Sequence, residues 1–266
     1  MNKCIASFLG PCDRPSKEDY ISKSILDLIG DGPSMLVGGY TWCPPDQNIL
    51  IGKSSIRAGI LCRKHNSELS LLDTEAKKIF LFFTNIEDCE RGKKDYGSIE
   101  KNVEIKGALF ERWMLKYIAG VMASGGAYAS RFNANENFIN ENLINILFGK
   151  NNWPENSGLH LNSNKILRMA KKEIKADFFA SLENNEFFDK DRLVAVEMKF
   201  HGFPFVLSFF ELPNTPKELK ENDLKNHWQY RPTKISFVRH WKLYEVNFIW
   251  PEDYNVGREV SLTDIS

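Results

Sequence analysis

An α+β fold is what this 266-residue chain predicts, and three observations carry the prediction. A Gly- and Pro-rich N-terminal stretch holds most of the Cys and one His. Apolar residues then recur at helical spacing between positions 73 and 148. After Asp191 the apolar period drops from 3.6 residues to two. The 19 Phe fall mostly in the second half, which supports the strand reading there because aromatic side chains pack well on a pleated surface.

Cys4 and Cys12 come first, flanking a short loop closed by Gly10-Pro11. Ser16, followed three residues on by Asp19, predicts a cap for a short helix with Ile21, Ile25 and Leu28 on one face. The turn formers between residues 30 and 56 predict loops around one or two short strands. Cys62-Arg63-Lys64-His65-Asn66 then leads into a helix with Asp73 as its N-cap and Ala76, Ile79, Phe80, Phe83 and Ile86 on its apolar face. That helix ends near Cys89, before the polar turn 90–95. Either a boundary falls there, dividing residues 1–95 from 96–266, or the chain is one continuous domain.

A second helix, Ala108 to Ser124, is apolar on most sides and so is expected at the centre, with Gly125-Gly126 as its stop. A third runs from about Glu136 to Phe148 and ends at Gly149. Residues 150–190 read largely as loop, with 165–173 a short basic helix or strand; Lys171 and Lys172, with Arg168 and Lys175, make a basic patch that contacts phosphates or forms a solvated face. Val194, Val196 and Met198 alternate with polar partners, His201 to Pro204 makes a turn, and Phe205, Leu207 and Phe209 return. Two further strands are expected at Ile235–Val238 and Leu243–Trp250, completing a C-terminal antiparallel sheet.

Several function classes are excluded or narrowed by the totals. Lys+Arg and Asp+Glu both number 35, so a surface for nucleic acid has to be local. No apolar run approaches the ~20 residues of a membrane span, so no membrane partner is expected. The N-terminus reads as mature structure, and five Cys, an odd number, without an export signal predict a reducing, cytoplasmic setting. No phosphate-binding loop, nucleophile elbow or dinucleotide fingerprint is present, which argues against ATP hydrolysis, serine hydrolysis and dinucleotide binding.

The chemistry-bearing residues are soft metal ligands. Cys62-x-x-His65 offers a thiolate and an imidazole from one tight turn, and Cys4 and Cys12 supply the two further ligands of a tetrahedral zinc site, with Cys43 in reserve. The alternative is a set of buried or idle thiols and an exposed His.

The succession Cys4…Cys12, then Glu18-Asp19-Tyr20-Ile21-Ser22-Lys23, then Cys62-x-x-His65-Asn66 opening a helix, resembles the zinc-stabilised branch of the HNH (His-Me finger) nucleases over residues 4–90. The resemblance implies a zinc-bound ββα-like finger at the N-terminus, ahead of the central helices and the C-terminal antiparallel sheet. It also implies structural Zn²⁺ on Cys4, Cys12, Cys62 and His65. The catalytic candidates it implies are Asp19, Glu18 and Asn66, which would hold Mg²⁺ or Mn²⁺ for phosphodiester cleavage of DNA or RNA.

The chain departs from that family where chemistry is done. Asp19 stands where the general-base His belongs, Ser22 replaces the following Pro, and Arg57 falls where an Asn orients the base. A carboxylate is a poor base at neutral pH. Two function classes therefore stand side by side: a metal-dependent endonuclease, and a catalytically inactive zinc-binding module that binds nucleic acid or a protein partner.

Overall fold

The computed structural model describes residues 4–16, 19–29, 32–38, 43–44, 49–55, 57, 59–123, 139–155, 157–162, 174–180, 193–200, 203–209 and 228–262. Glu18, the Gly125-Gly126 stop, the basic segment 165–173 and the turn residues His201 and Gly202 lie outside them.

The architecture is mixed α+β. The helices are α1 (Lys23–Ile29), α2 (Arg63–Glu68), α3 (Ser70–Glu90), α4 (Gly107–Ala123) and α5 (Glu141–Leu147). The strands are β1 (Ser34–Gly38), β2 (Ile49–Gly52), β3 (Asn102–Lys106), β4 (Gly158–Asn162), β5 (Ile174–Ala180), β6 (Leu193–Phe200), β7 (Phe203–Ser208), β8 (Trp228–Tyr230), β9 (Lys234–Arg239), β10 (Lys242–Ile249) and β11 (Val260–Leu262). None of the described helices is long and apolar enough to cross a membrane.

Two sheets form. The larger runs β2-β1-β5-β6-β7-β4-β8 and is antiparallel except where β1 meets β5. The smaller runs β11-β9-β10-β3, with the β9–β10 hairpin at its centre and a parallel strand on either side. β1 and β2 come from before residue 95 yet join strands from the second half, and one buried core runs from Ala6 to Val260.

Helices α3 and α4 sit where the two sheets converge. Phe83 of α3 stacks on Phe203 of β7 at 4.4 Å and also touches Phe237 of β9 at 5.9 Å. Phe110 of α4 meets Phe205 of β7 at 5.4 Å and Phe248 of β10 at 6.1 Å. Across the helix pair, Phe80 and Trp113 meet edge to face at 5.4 Å. The aromatic surplus of the second half is thus spent on gripping two helices from the first half and middle, and such contacts contribute beyond simple area burial.

Local expectations hold where periodicity is long and shift where tertiary pairing competes. α4 takes the central place expected of it, with Phe110, Trp113, Met114, Tyr117, Ile118 and Val121 fully buried. Ser16 does not cap α1: its backbone N–H bonds to the Leu61 carbonyl, and the helix starts only at Lys23, beyond Ser22. α3 likewise begins three residues before Asp73, with Leu69 as a cap that makes no side-chain bond. α5 starts at Glu141, where the Asn140 side chain accepts from the Leu143 N–H at 3.0 Å. Phe203 and Pro204 belong to β7, because β6 and β7 pair right up to Phe200↔Phe203.

Candidate metal centre

Backbone pairing builds the site. Two antiparallel bridges, Pro15↔Cys62 and Asp19↔Arg57, tie the N-terminal part of the chain to the residues that precede α2. The Ser16 N–H donates to Leu61 O at 3.0 Å, and the Arg63 N–H to Arg14 O at 3.0 Å. Farther back, the Ile5 N–H donates to Ile60 O at 2.9 Å, which brings the Cys4 loop alongside. Cys62 is the N-cap of α2 in an extended conformation, so its side chain and that of His65, one turn on, project to the same side.

Four ligand atoms converge there, all within 4.8 Å of one another: the sulfurs of Cys4, Cys12 and Cys62 and a ring nitrogen of His65. His65 Nδ1 lies 3.4 Å from Cys4 Sγ, 3.8 Å from Cys12 Sγ and 3.2 Å from Cys62 Sγ. A zinc tetrahedron with ordinary Zn–S and Zn–N lengths has S···N edges of about 3.6 Å. The observed edges bracket that value, and the four are close enough to hold a metal ion. The donor set, three thiols and an imidazole with no carboxylate and no open position, is that of a structural rather than a catalytic ion. Cys43, the reserve ligand, is elsewhere: it is buried and its thiol points to Val37 O at 3.8 Å.

Surrounding groups orient the ligands. The Cys62 N–H donates to Cys4 Sγ at 3.4 Å, and Asp13 Oδ1 accepts from the Lys64 N–H at 3.0 Å, capping α2 beside the cluster. That bond from Lys64 holds the Asp13 carboxyl below its ordinary value. His65 is buried and its ring stands edge-on to Phe148 at 5.7 Å. Burial pushes the Cys62 thiol up, but the backbone N–H groups of His65 and Asp13 outweigh it and the net shift is down. Cys12 belongs to an exposed residue, yet its sulfur turns inward. Lost hydration, with the Cys4 and Cys62 thiols alongside, pushes it up to about 11. Three sulfurs this close cannot all carry charge unless a cation lies among them.

The remaining predicted residues are placed as follows. Asp19 faces Arg57 across the paired segments, with Arg57 Nε 3.1 Å from Asp19 Oδ1. Partial burial pushes the Asp19 carboxyl above its ordinary value, against the pull of Arg57 and of Lys116. Asn66 lies on α2, one position past His65, its backbone N–H bonded to Cys62 O at 2.9 Å. Among the described residues, the four-ligand cluster is the one group of three or more Cys, His or acidic side chains placed to share an ion, and Asp19 is not in it.

Sequence reasoning missed one polar pair at this end of the molecule. Lys116 of α4, almost fully buried, is held by Asp73 of α3 at 2.7 Å and contributes to the field at Asp19. The signal was there: a Lys in a mostly apolar helix must find a carboxylate when it is buried. Which carboxylate it finds, 43 positions away, is a matter of helix packing.

α4 also fixes the backbone beside Asp19. Gly120 presses directly on the Tyr20 side chain, and a Cβ at that position would overlap the Tyr20 Cβ. Gly120→Ala is therefore expected to destabilise the fold by ~1–3 kcal/mol through overpacking, although alanine favours helix by up to ~1 kcal/mol. Urea unfolding of the variant checks this; unchanged or raised stability would show that α4 does not need that close approach.

Compared with protein-family models, curated proteins and solved structures, the chain matches none of them.

Proposed function

We propose that residues 4–90 form a zinc-bound, HNH-like ββα finger that binds nucleic acid without cleaving it. The convergence of Cys4, Cys12, Cys62 and His65 carries this reading. The two paired segments followed by α2 and α3 have the order of a ββα unit, with the ligands at the junction of strand and helix. Zinc there would tie the N-terminal loop to the start of α2 and contribute folding free energy directly.

The inactive form is favoured by the Asp19–Arg57 ion pair. These are the two positions where the family places its base and the residue that orients it, and here each neutralises the other. Burial leaves the Asp19 carboxyl above its ordinary value, but the Arg57 guanidinium occupies the oxygen with which it would accept a proton. Binding is supported by the local cations: Arg14, Arg63 and Lys64 are exposed on adjoining backbone at the cluster. They suit phosphate contacts that a neutral chain has to make locally.

Incubation with supercoiled plasmid, in Mg²⁺ or Mn²⁺ and in chelator, tests both parts. The expected result is retarded plasmid with no nicking above the metal-free control, and weaker retardation for the Arg63→Gln, Lys64→Gln double variant. Nicking that vanishes in Asp19→Ala would instead make this a working nuclease. Absence of retardation would leave a protein partner as the ligand of the finger.

A further inference from the structure

The β9–β10 hairpin turns on two residues, His240 (φ 46°) and Trp241 (φ 61°), between the paired ends Arg239 and Lys242. Both lie in the left-handed region that a tight two-residue hairpin demands and that Asn and Gly fill at least cost. Here the chain places an imidazole and an indole. Trp241 is 95% exposed, so the strain of its backbone is not offset by burial of its ring.

The turn is nonetheless braced from below. The Tyr96 ring packs against His240 at 4.8 Å and carries Lys242 Nζ 5.2 Å above its centroid. Arg239 lies under the turn with its Nε 3.7 Å from Glu90. The indole is thus displayed on a fixed base. Leu243, 52% exposed, and half-buried Val238 sit opposite one another on the adjoining strand positions.

What such a tip fits is limited by its size and charge. One indole and two aliphatic side chains offer roughly 300–400 Å², about half of what each side of a stable protein–protein interface buries. Around the tip Asp88 holds Lys94 and Glu90 holds Arg239, Asp95 accepts from the Gly97 N–H of its own turn, and Lys242, the cation next to the indole in the chain, rests on an aromatic face. A flat π-system linked to an anion matches an exposed indole flanked by Lys242 and His240.

We infer that Trp241 is a stacking platform for an unpaired nucleobase, with Lys242 and His240 meeting the adjacent phosphate of a single-stranded nucleic acid. The platform stands beside the C-terminal end of α3, whereas the metal centre stands at its N-terminal end. The 21-residue helix separates them by about 30 Å. The inference therefore does not rest on zinc.

The test is fluorescence anisotropy of the full-length protein with labelled dT20, rU20 and a 20-base-pair duplex. Wild type is expected to bind the single strands, with dT20 and rU20 deciding which sugar is preferred. Trp241→Ala should weaken single-strand binding about 10-fold or more while leaving the duplex affinity unchanged. Trp241→Phe, which keeps a ring, should retain most of the affinity, and Lys242→Gln should flatten the salt dependence. Thermal melts matching wild type confirm that the exposed-site variants fold.

Equal weakening on duplex and single strand, or no effect of Trp241→Ala, overturns the platform. So does Trp241-dependent binding to phosphatidylserine vesicles, or Trp241-dependent self-association, in the absence of oligonucleotide binding. The zinc content of the same preparations and the Arg63→Gln, Lys64→Gln duplex result separate failure of the platform from failure of the finger.

Discussion

Cys62→Ser is expected to abolish stoichiometric zinc and to lower stability by ~3 kcal/mol or more, a fall in Tm of about 6–12 °C. Wild-type protein purified without chelator should carry about one equivalent of zinc by elemental analysis. The effect is large because the four ligands come from two places in the chain: Cys4 and Cys12 from the N-terminal loop, Cys62 and His65 from the start of α2. One ion would replace mutual repulsion among three sulfurs by attraction and close the loop between positions 12 and 62. The control is Cys89→Ala, a buried thiol at the far end of α3 and outside the cluster. It should keep its zinc even if it loses some packing. Less than half an equivalent in wild type, or full zinc in Cys62→Ser, would remove the finger.

Glu111→Ala is expected to cost about 3–5 kcal/mol, because it leaves Arg231 buried without its partner. Glu111 of α4 is fully buried; its Oε1 accepts from Arg231 Nε at 3.0 Å and from the Leu159 N–H at 2.6 Å. Arg231 is further held by Ser157 O and Asn255 O, and lies 4.5 Å from the centre of the Tyr254 ring. This one group therefore fastens the central helix to the edge of the larger sheet and to the C-terminal segment. Gly158, in the left-handed region at φ 117°, leaves room for the carboxylate that any side chain would fill.

The same cluster makes a pH prediction. Burial pushes the Glu111 carboxyl from 4.5 up to about 7, against the pull of Arg231 and the Leu159 N–H. Burial pushes the neighbouring His160 imidazole from 6.5 down to about 4, against the Gly158 carbonyl that favours its charged form. For Glu111 the folded chain binds the proton more tightly. Its contribution to stability is full below about 4.5 and is lost as pH rises through 7. For His160 the unfolded chain binds the proton more tightly, so its contribution is full above about 6.5 and is lost as pH falls through 4.

Between about 4.5 and 6.5 the two slopes oppose each other, and wild-type stability should be nearly flat with respect to this pair. Glu111→Gln keeps an acceptor for Arg231 but removes one slope, so stability should then rise with pH by up to ~1.4 kcal/mol per unit across that window. His160→Asn should show the reverse, a fall of similar steepness up to pH 7. Chemical denaturation at several pH values reads both, and parallel profiles for wild type and the two variants would sink the assignment.

Much of this was legible because it is local. Apolar spacing fixed α3 and α4 to within a few residues, and strict alternation marked β6, β9 and β10. Those patterns are long, and burial of one face rewards them wherever the element ends up. The short elements were not legible in the same way. Ser16 and Asp19 carry a capping pattern, yet Ser16 bonds to Leu61 and Asp19 bridges Arg57, since backbone groups that meet a complementary strand gain several bonds where a cap gains one or two. Asp73 reads as a cap and serves Lys116 instead.

The candidate site divides along the same line. The sequence by itself determined the ligand types, the Cys62-x-x-His65 spacing on one helical turn, the acidic residue at Asp19, and the presence of charged residues in an apolar helix. Only the tertiary structure decided that Cys4 and Cys12, and not Cys43, meet Cys62 and His65, that Arg57 holds Asp19, that Glu111 finds Arg231, and that Trp241 is left in solvent. Spacing within a turn or a strand is set by backbone geometry and can be read along the chain. Partners from 38 to 120 positions apart are selected by how helices and sheets pack, and no local pattern encodes that choice.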